Sequence, residues 1–86
     1  MKKRKNQNII SRIKINISGR VQGVGFRPFV YRLASELRLA GFVRNDTHGA
    51  FIEVEGIAEN IAMFMQRLKT ELPPAALISE LSSQEI

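Results

Sequence analysis

The stretch Gly19-Arg20-Val21-Gln22-Gly23-Val24-Gly25-Phe26-Arg27 holds the residue types of this sequence best suited to chemistry. Glycine lets successive backbone N–H groups turn toward one point without Cβ clashes. Gly19, Gly23 and Gly25 stand just ahead of a segment of helical periodicity, so the spacing predicts a turn between a strand and a helix N-terminus. A helix start carries about half a positive charge. Loop and helix end together therefore suit an anion cradle built from backbone N–H groups. Arg27 sits at the helix start, where its planar guanidinium would close the cradle with paired hydrogen bonds to two phosphate oxygens. Two nucleotide motifs are excluded. No glycine precedes a lysine, as G-x-x-x-x-G-K-[ST] requires, and the pattern G-x-G-x-x-G entered at Gly23 meets Pro28 where a glycine must stand. Taken by itself, the loop also fits a plain glycine-rich chain reversal.

Other chemistries lack their residues. There is no cysteine, which removes disulfides, thiolate zinc sites and a cysteine nucleophile and is compatible with a cytoplasmic protein. His48 is the only histidine and has no carboxylate cluster around it in sequence, so no metal site and no cofactor are expected. No apolar run approaches the roughly 20 residues needed to span a bilayer, so no membrane partner is expected. The net charge of +5 suggests nucleic acid until it is located. Lys2, Lys3, Arg4, Lys5, Arg12 and Lys14 fall in residues 1–14 without an acid, whereas the remainder carries seven basic and eight acidic side chains. Basicity is thus a property of the N-terminus, and residues 1–10 read as a disordered basic lead-in rather than a nucleic-acid arm.

The elements that must position the loop follow from periodicity. Ile13, Ile15 and Ile17 alternate on one face of a strand over residues 12–18. Residues 26–39 read as a helix with Phe29, Val30, Leu33, Ala34 and Leu37 as its apolar stripe, Pro28 in its first turn and Gly41 as its C-terminal cap. Residues 42–45 and 50–55 form two strands joined by the turn Asp46-Thr47-His48-Gly49. Residues 57–72 return to helical spacing through Ile61, Met65, Leu68 and Leu72, and Pro73-Pro74 stops that helix. A fourth strand is expected from Leu77 to Leu81 or further, and any closing strand after it would be short, since the sequence ends soon after. The order β-α-β-β-α-β predicts an α+β fold: the ferredoxin-like split βαβ sandwich, a four-stranded antiparallel sheet with two helices on one face. Right-handed crossovers put the first and third strands at the centre.

With the elements in order, the motifs support a closer identification. The run from Gly19 to Arg27, followed by Gly41-Phe42-Val43-Arg44-Asn45 and Gly49, closely resembles the acylphosphatase pattern over about residues 12–80. The resemblance implies one acylphosphatase-like domain over residues 11–86. It also implies catalytic roles for Arg27 and Asn45: the backbone N–H groups of Gln22, Gly23, Val24, Gly25, Phe26 and Arg27, with the Arg27 guanidinium, bind the phosphoryl oxygens, and the Asn45 amide orients the attacking water. A further resemblance lies in Phe26-Arg27-Pro28-Phe29-Val30-Tyr31-Arg32-Leu33-Ala34, Arg44-Asn45-Asp46 and Pro73-Pro74. These are similar to the N-terminal acylphosphatase-like domain of the hydrogenase-maturation carbamoyltransferases, although Leu77 stands where those sequences often carry a basic residue.

What the resemblance implies is hydrolysis of a small-molecule acyl phosphate, carbamoyl phosphate in the maturation setting, with further domains of the same polypeptide as partners. An alternative is a binding module that keeps the cradle but turns over little in isolation. RNA binding is disfavoured, because the expected strands offer only Phe42 and Phe51 to an open sheet face and no RNP-like run is present. Secondary readings attach to Arg20 and Arg44, expected as solvated strand-end cations, to His48 and Asp46 as turn residues, and to Tyr31 as a helix-surface or packing residue.

Overall fold

The computed structural model describes residues 9–86. Its elements are β1 (Ile10–Arg20), α1 (Phe26–Glu36), β2 (Ala40–Asn45), β3 (Gly49–Ile57), α2 (Ala58–Thr70) and β4 (Leu77–Glu85). The four strands form one antiparallel sheet in the order β2-β3-β1-β4, which puts β1 and β3 at the centre as expected. Most of the basic lead-in expected over residues 1–10 lies outside the described residues. Its last member, Ile10, opens β1, and the carbonyl of Ile9 accepts a hydrogen bond from Ala58 N–H at 2.9 Å.

Alternation decides which face is covered. Ile13 lies opposite Val54, Ile15 opposite Ile52 and Ile17 opposite Ala50, and β2 continues these rows with Val43 opposite Ile52 and Asn45 opposite Ala50. Ile15, Ile17, Val43, Ala50, Ile52 and Val54 are buried in one cluster with Phe26, Phe29, Val30 and Leu33 of α1 and Phe64 and Leu68 of α2. Each fully buried side chain of this size contributes roughly 1.5–3 kcal/mol. The other face carries Phe42, Arg44, Phe51, Arg12, Lys14 and Asn16. There the rings of Phe42 and Phe51 lie 5.8 Å apart, the Arg44 guanidinium sits 4.7 Å over Phe51, and Arg12 pairs with Glu53 at 2.6 Å and Glu55 at 2.8 Å.

Three local expectations are corrected. α1 ends at Glu36, not at residue 39, and the chain leaves it through Arg38 in the left-handed region at φ 57°. Gly41 is therefore not the cap. It lies inside β2 at φ 148°, where a Cβ would strike the carbonyl of Glu53, so backbone conformation and close strand approach both favour glycine there. α2 is trimmed at both ends relative to residues 57–72, and its buried set is Ile61, Phe64 and Leu68, with Met65 and Leu72 only half-buried. β4 runs past Leu81 to Glu85, nine residues in all, because the long β1 offers partners from Arg20 back to Ile13.

Candidate active site

Two apolar pegs hold the glycine-rich loop. Val21 and Phe26 are each 1% exposed, while Gln22, Gly23 and Gly25 between them face solvent. Gly23 has φ 72° and Gly25 has φ 81°, left-handed conformations that suit glycine. A Cβ on either would meet nothing within 4 Å, so backbone conformation and not space reserves both positions. Gly25 is also the N-cap of α1, and as glycine it offers the helix no side-chain acceptor. Pro28 has no N–H and Phe29 N–H bonds the Gly25 carbonyl, which leaves the N–H groups of Phe26 and Arg27 without helical partners. No acidic residue stands in the first turn to offset the helix dipole. The loop thus presents uncompensated positive potential to solvent.

Arg27 is the second residue of α1 and is exposed. Among the described residues no carboxylate pairs with it, in contrast to Arg12 on Glu53 and Glu55 and to Arg67 on Glu36 and Glu71. Asn45 is the last residue of β2 and faces the covered side of the sheet with Val43. Its Oδ1 is buried and accepts no hydrogen bond from the described residues. A buried carboxamide oxygen without a donor costs about 1–3 kcal/mol, which a water donating to it would relieve.

Topology brings these groups to one end of the sheet. β1 and β2 are both antiparallel to β3, so they are parallel to each other and their C-terminal ends lie together. α1 begins at that same end, directly after the loop that follows β1. The β2–β3 turn is fixed there by Asp46, whose Oδ1 accepts from His48 N–H at 2.9 Å and Gly49 N–H at 2.8 Å. Gly19 N–H donates to the His48 carbonyl at 3.1 Å, and the Gln22 side-chain amide donates to the Asp46 carbonyl. Two links therefore join the loop to the turn that follows Asn45.

The residues expected at the site, Gln22 through Arg27 and Asn45, all lie at this end of the sheet. The secondary candidates do not strengthen it. Arg44 stacks on the open face with Phe51, His48 contributes its backbone and exposes its side chain, and Tyr31 is exposed on α1. Asp46 stabilises the turn as its type predicts. Sequence reasoning missed the side chain of Gln22, valued there only for its N–H, and missed Val21 as a peg. Among the described residues no group of three or more His, Asp or Glu gathers as metal ligands would, and no helix is long and apolar enough to cross a membrane. A groove of about 200 Å³ runs along the seam between α1 and β2, lined by Val30, Tyr31, Ala34, Gly41, Phe42 and Val43 among others, but none of the candidate site residues lines it.

Comparison with known proteins bears on the fold and on the family. The acylphosphatase family model matches residues 13–86. The sequence is 52% identical over 73 residues to the carbamoyltransferase HypF2 of Cupriavidus necator, covering 85% of this chain and 9% of that protein. It is 42% identical over 74 residues to the acylphosphatase of Syntrophotalea carbinolica, covering 85% of this chain and 79% of that one. Among solved structures, full-length HypF in its phosphate- and nucleotide-bound form superposes with a TM-score of 0.89 at 41% identity, over 96% of this chain and 11% of HypF. An acylphosphatase from Coxiella burnetii superposes with a TM-score of 0.82 at 37% identity, over 96% of this chain and 86% of that one. The chain therefore spans about a tenth of the length of the carbamoyltransferases it matches and most of the length of the acylphosphatases.

Proposed function

Because this chain belongs to the acylphosphatase family, we propose that it hydrolyses the phosphoanhydride of an acyl phosphate at the end of the sheet where the loop, α1 and Asn45 meet. An acyl phosphate has a good carboxylate leaving group, so the demand on the protein is to hold and neutralise the phosphoryl group and to place a water in line. The N–H groups from Gln22 to Arg27 and the Arg27 fork bind the phosphoryl oxygens. Asn45 Oδ1 accepts a hydrogen bond from the attacking water and aims its lone pair at phosphorus. The new P–O bond forms as the bond to the acyl oxygen breaks, the carboxylate leaves with that electron pair, and the water's proton passes to a phosphoryl oxygen of the substrate. No side-chain nucleophile is needed. The observation that carries this reading is the buried Asn45 Oδ1, without a donor among the described residues, at the end of the sheet where α1 begins with no acidic residue in its first turn.

In a second reading the same site works within a larger carbamoyltransferase polypeptide on carbamoyl phosphate, giving phosphate and carbamate. It is favoured by the 52% identity to a carbamoyltransferase of which this chain covers 9%. In that setting the isolated domain binds carbamoyl phosphate and turns it over only slowly. Phosphate release from carbamoyl phosphate and from an aryl acyl phosphate, measured side by side in chelator-treated buffer, separates the readings. Faster release from the aryl compound indicates a free-standing acylphosphatase, and faster release from the carbamoyl compound indicates the maturation setting. No release from either substrate would refute hydrolysis by this chain.

A further inference from the structure

The Gln22 side chain reaches across 24 positions of sequence to the carbonyl of Asp46, the residue directly after Asn45. The turn that presents this carbonyl is already rigid, because Asp46 Oδ1 binds two N–H groups and Asp46 N–H donates to the Gly49 carbonyl at 3.0 Å. The loop end of the link is less constrained: Gln22 precedes two left-handed glycines and is exposed. A hydrogen bond in solvent adds little to global stability, about 0.5–1.5 kcal/mol. Its effect on geometry is larger, since it joins the element that holds the phosphoryl group to the one that holds the water.

We propose that Gln22 is a positioning residue, whose side-chain amide latches the phosphate loop to the β2–β3 turn and so sets the separation between the bound phosphorus and the water on Asn45. The proposal rests on the hydrolytic reading above. Gln22 acts through Asn45 and leaves phosphate binding to the loop amides and Arg27.

Gln22→Met keeps the side chain's length and removes its donor. In the wild-type background it lowers kcat by about tenfold to a hundredfold, the cost of misplacing a reacting group by an ångström or less. KM and competitive inhibition by inorganic phosphate stay within about twofold, because uniform binding is untouched. The melting temperature stays within about 2 °C of wild type. In an Asn45→Ala background the same substitution has little further effect on kcat, since there is no longer a placed water to lose. Three results would overturn the latch while wild-type turnover stands: an unchanged kcat, equal falls in kcat and phosphate affinity, or full additivity with Asn45→Ala. A wild-type chain without turnover would instead remove the hydrolytic reading itself.

Discussion

Four arginines of this protein show how context decides what a guanidinium can do. Arg12 and Arg67 are held by carboxylates, Arg44 lies on two aromatic rings, and Arg27 stands at a helix start with no carboxylate beside it. Of these four, only Arg27 combines a fork without a carboxylate partner among the described residues with a place at a helix N-terminus. Arg27→Lys keeps the charge and loses the paired geometry, so kcat/KM for an acyl phosphate falls by at least about a hundredfold while far-ultraviolet circular dichroism is unchanged. Asn45→Ala separates the water from the cradle: kcat falls by about a hundredfold, and the inhibition constant for inorganic phosphate, read in the same assay, changes by less than about threefold. The glycine-rich turn was legible in the sequence, because glycine tolerates the left-handed conformations that Gly23 and Gly25 adopt. The role of Asn45 came only through resemblance, since no periodicity marks an asparagine at a strand end. The Gln22 link was not legible at all, because it joins a side chain to a main-chain carbonyl across a fold that must first exist.

At the level of elements, apolar periodicity located both helices and the inner strands, and boundaries were where it failed. Gly41 reads as a helix cap, yet the sheet uses it for close approach to Glu53 and leaves the left-handed exit of α1 to Arg38 at φ 57°. Arg38→Gly relieves that conformation and raises stability by up to about 1 kcal/mol, measurable as a higher denaturant midpoint with an unchanged slope. The helices are also joined through Arg67, which bonds Glu71 at 2.9 Å on its own helix end and Glu36 of α1 at 2.8 Å. The hydrogen bond from Arg67 holds the Glu71 carboxyl below the usual carboxylate range. Unfolding therefore raises its proton affinity, and the stabilisation is complete above the unfolded pKa of about 4.3 and lost as pH falls through the lower folded value. Glu71→Gln accordingly melts slightly below wild type at neutral pH, and the two curves converge in acid.

For the whole molecule, the central fact is that a chain of 86 residues has one thin core, and the candidate site lies at the rim of it. Phe64 is completely buried between sheet and helices, so Phe64→Ala costs about 3–5 kcal/mol, much of the 5–15 kcal/mol that holds a typical domain together. That variant loses cooperative unfolding or melts far below wild type in calorimetry. Element order alone gave the sheet topology, because right-handed crossovers leave few alternatives to a central β1 and β3. The length of β4 escaped the sequence, because its pattern of small and polar residues is decided by pairing with β1 and not by burial. The proposed function makes one chemical claim: solvent attacks phosphorus, and the carboxylate leaves with its oxygen. Hydrolysis of an aryl acyl phosphate by the chelator-treated protein in water enriched in heavy oxygen tests this directly. The account predicts the label in inorganic phosphate, with the rate lost in Asn45→Ala; label in the released carboxylate would show attack at the acyl carbon and contradict it.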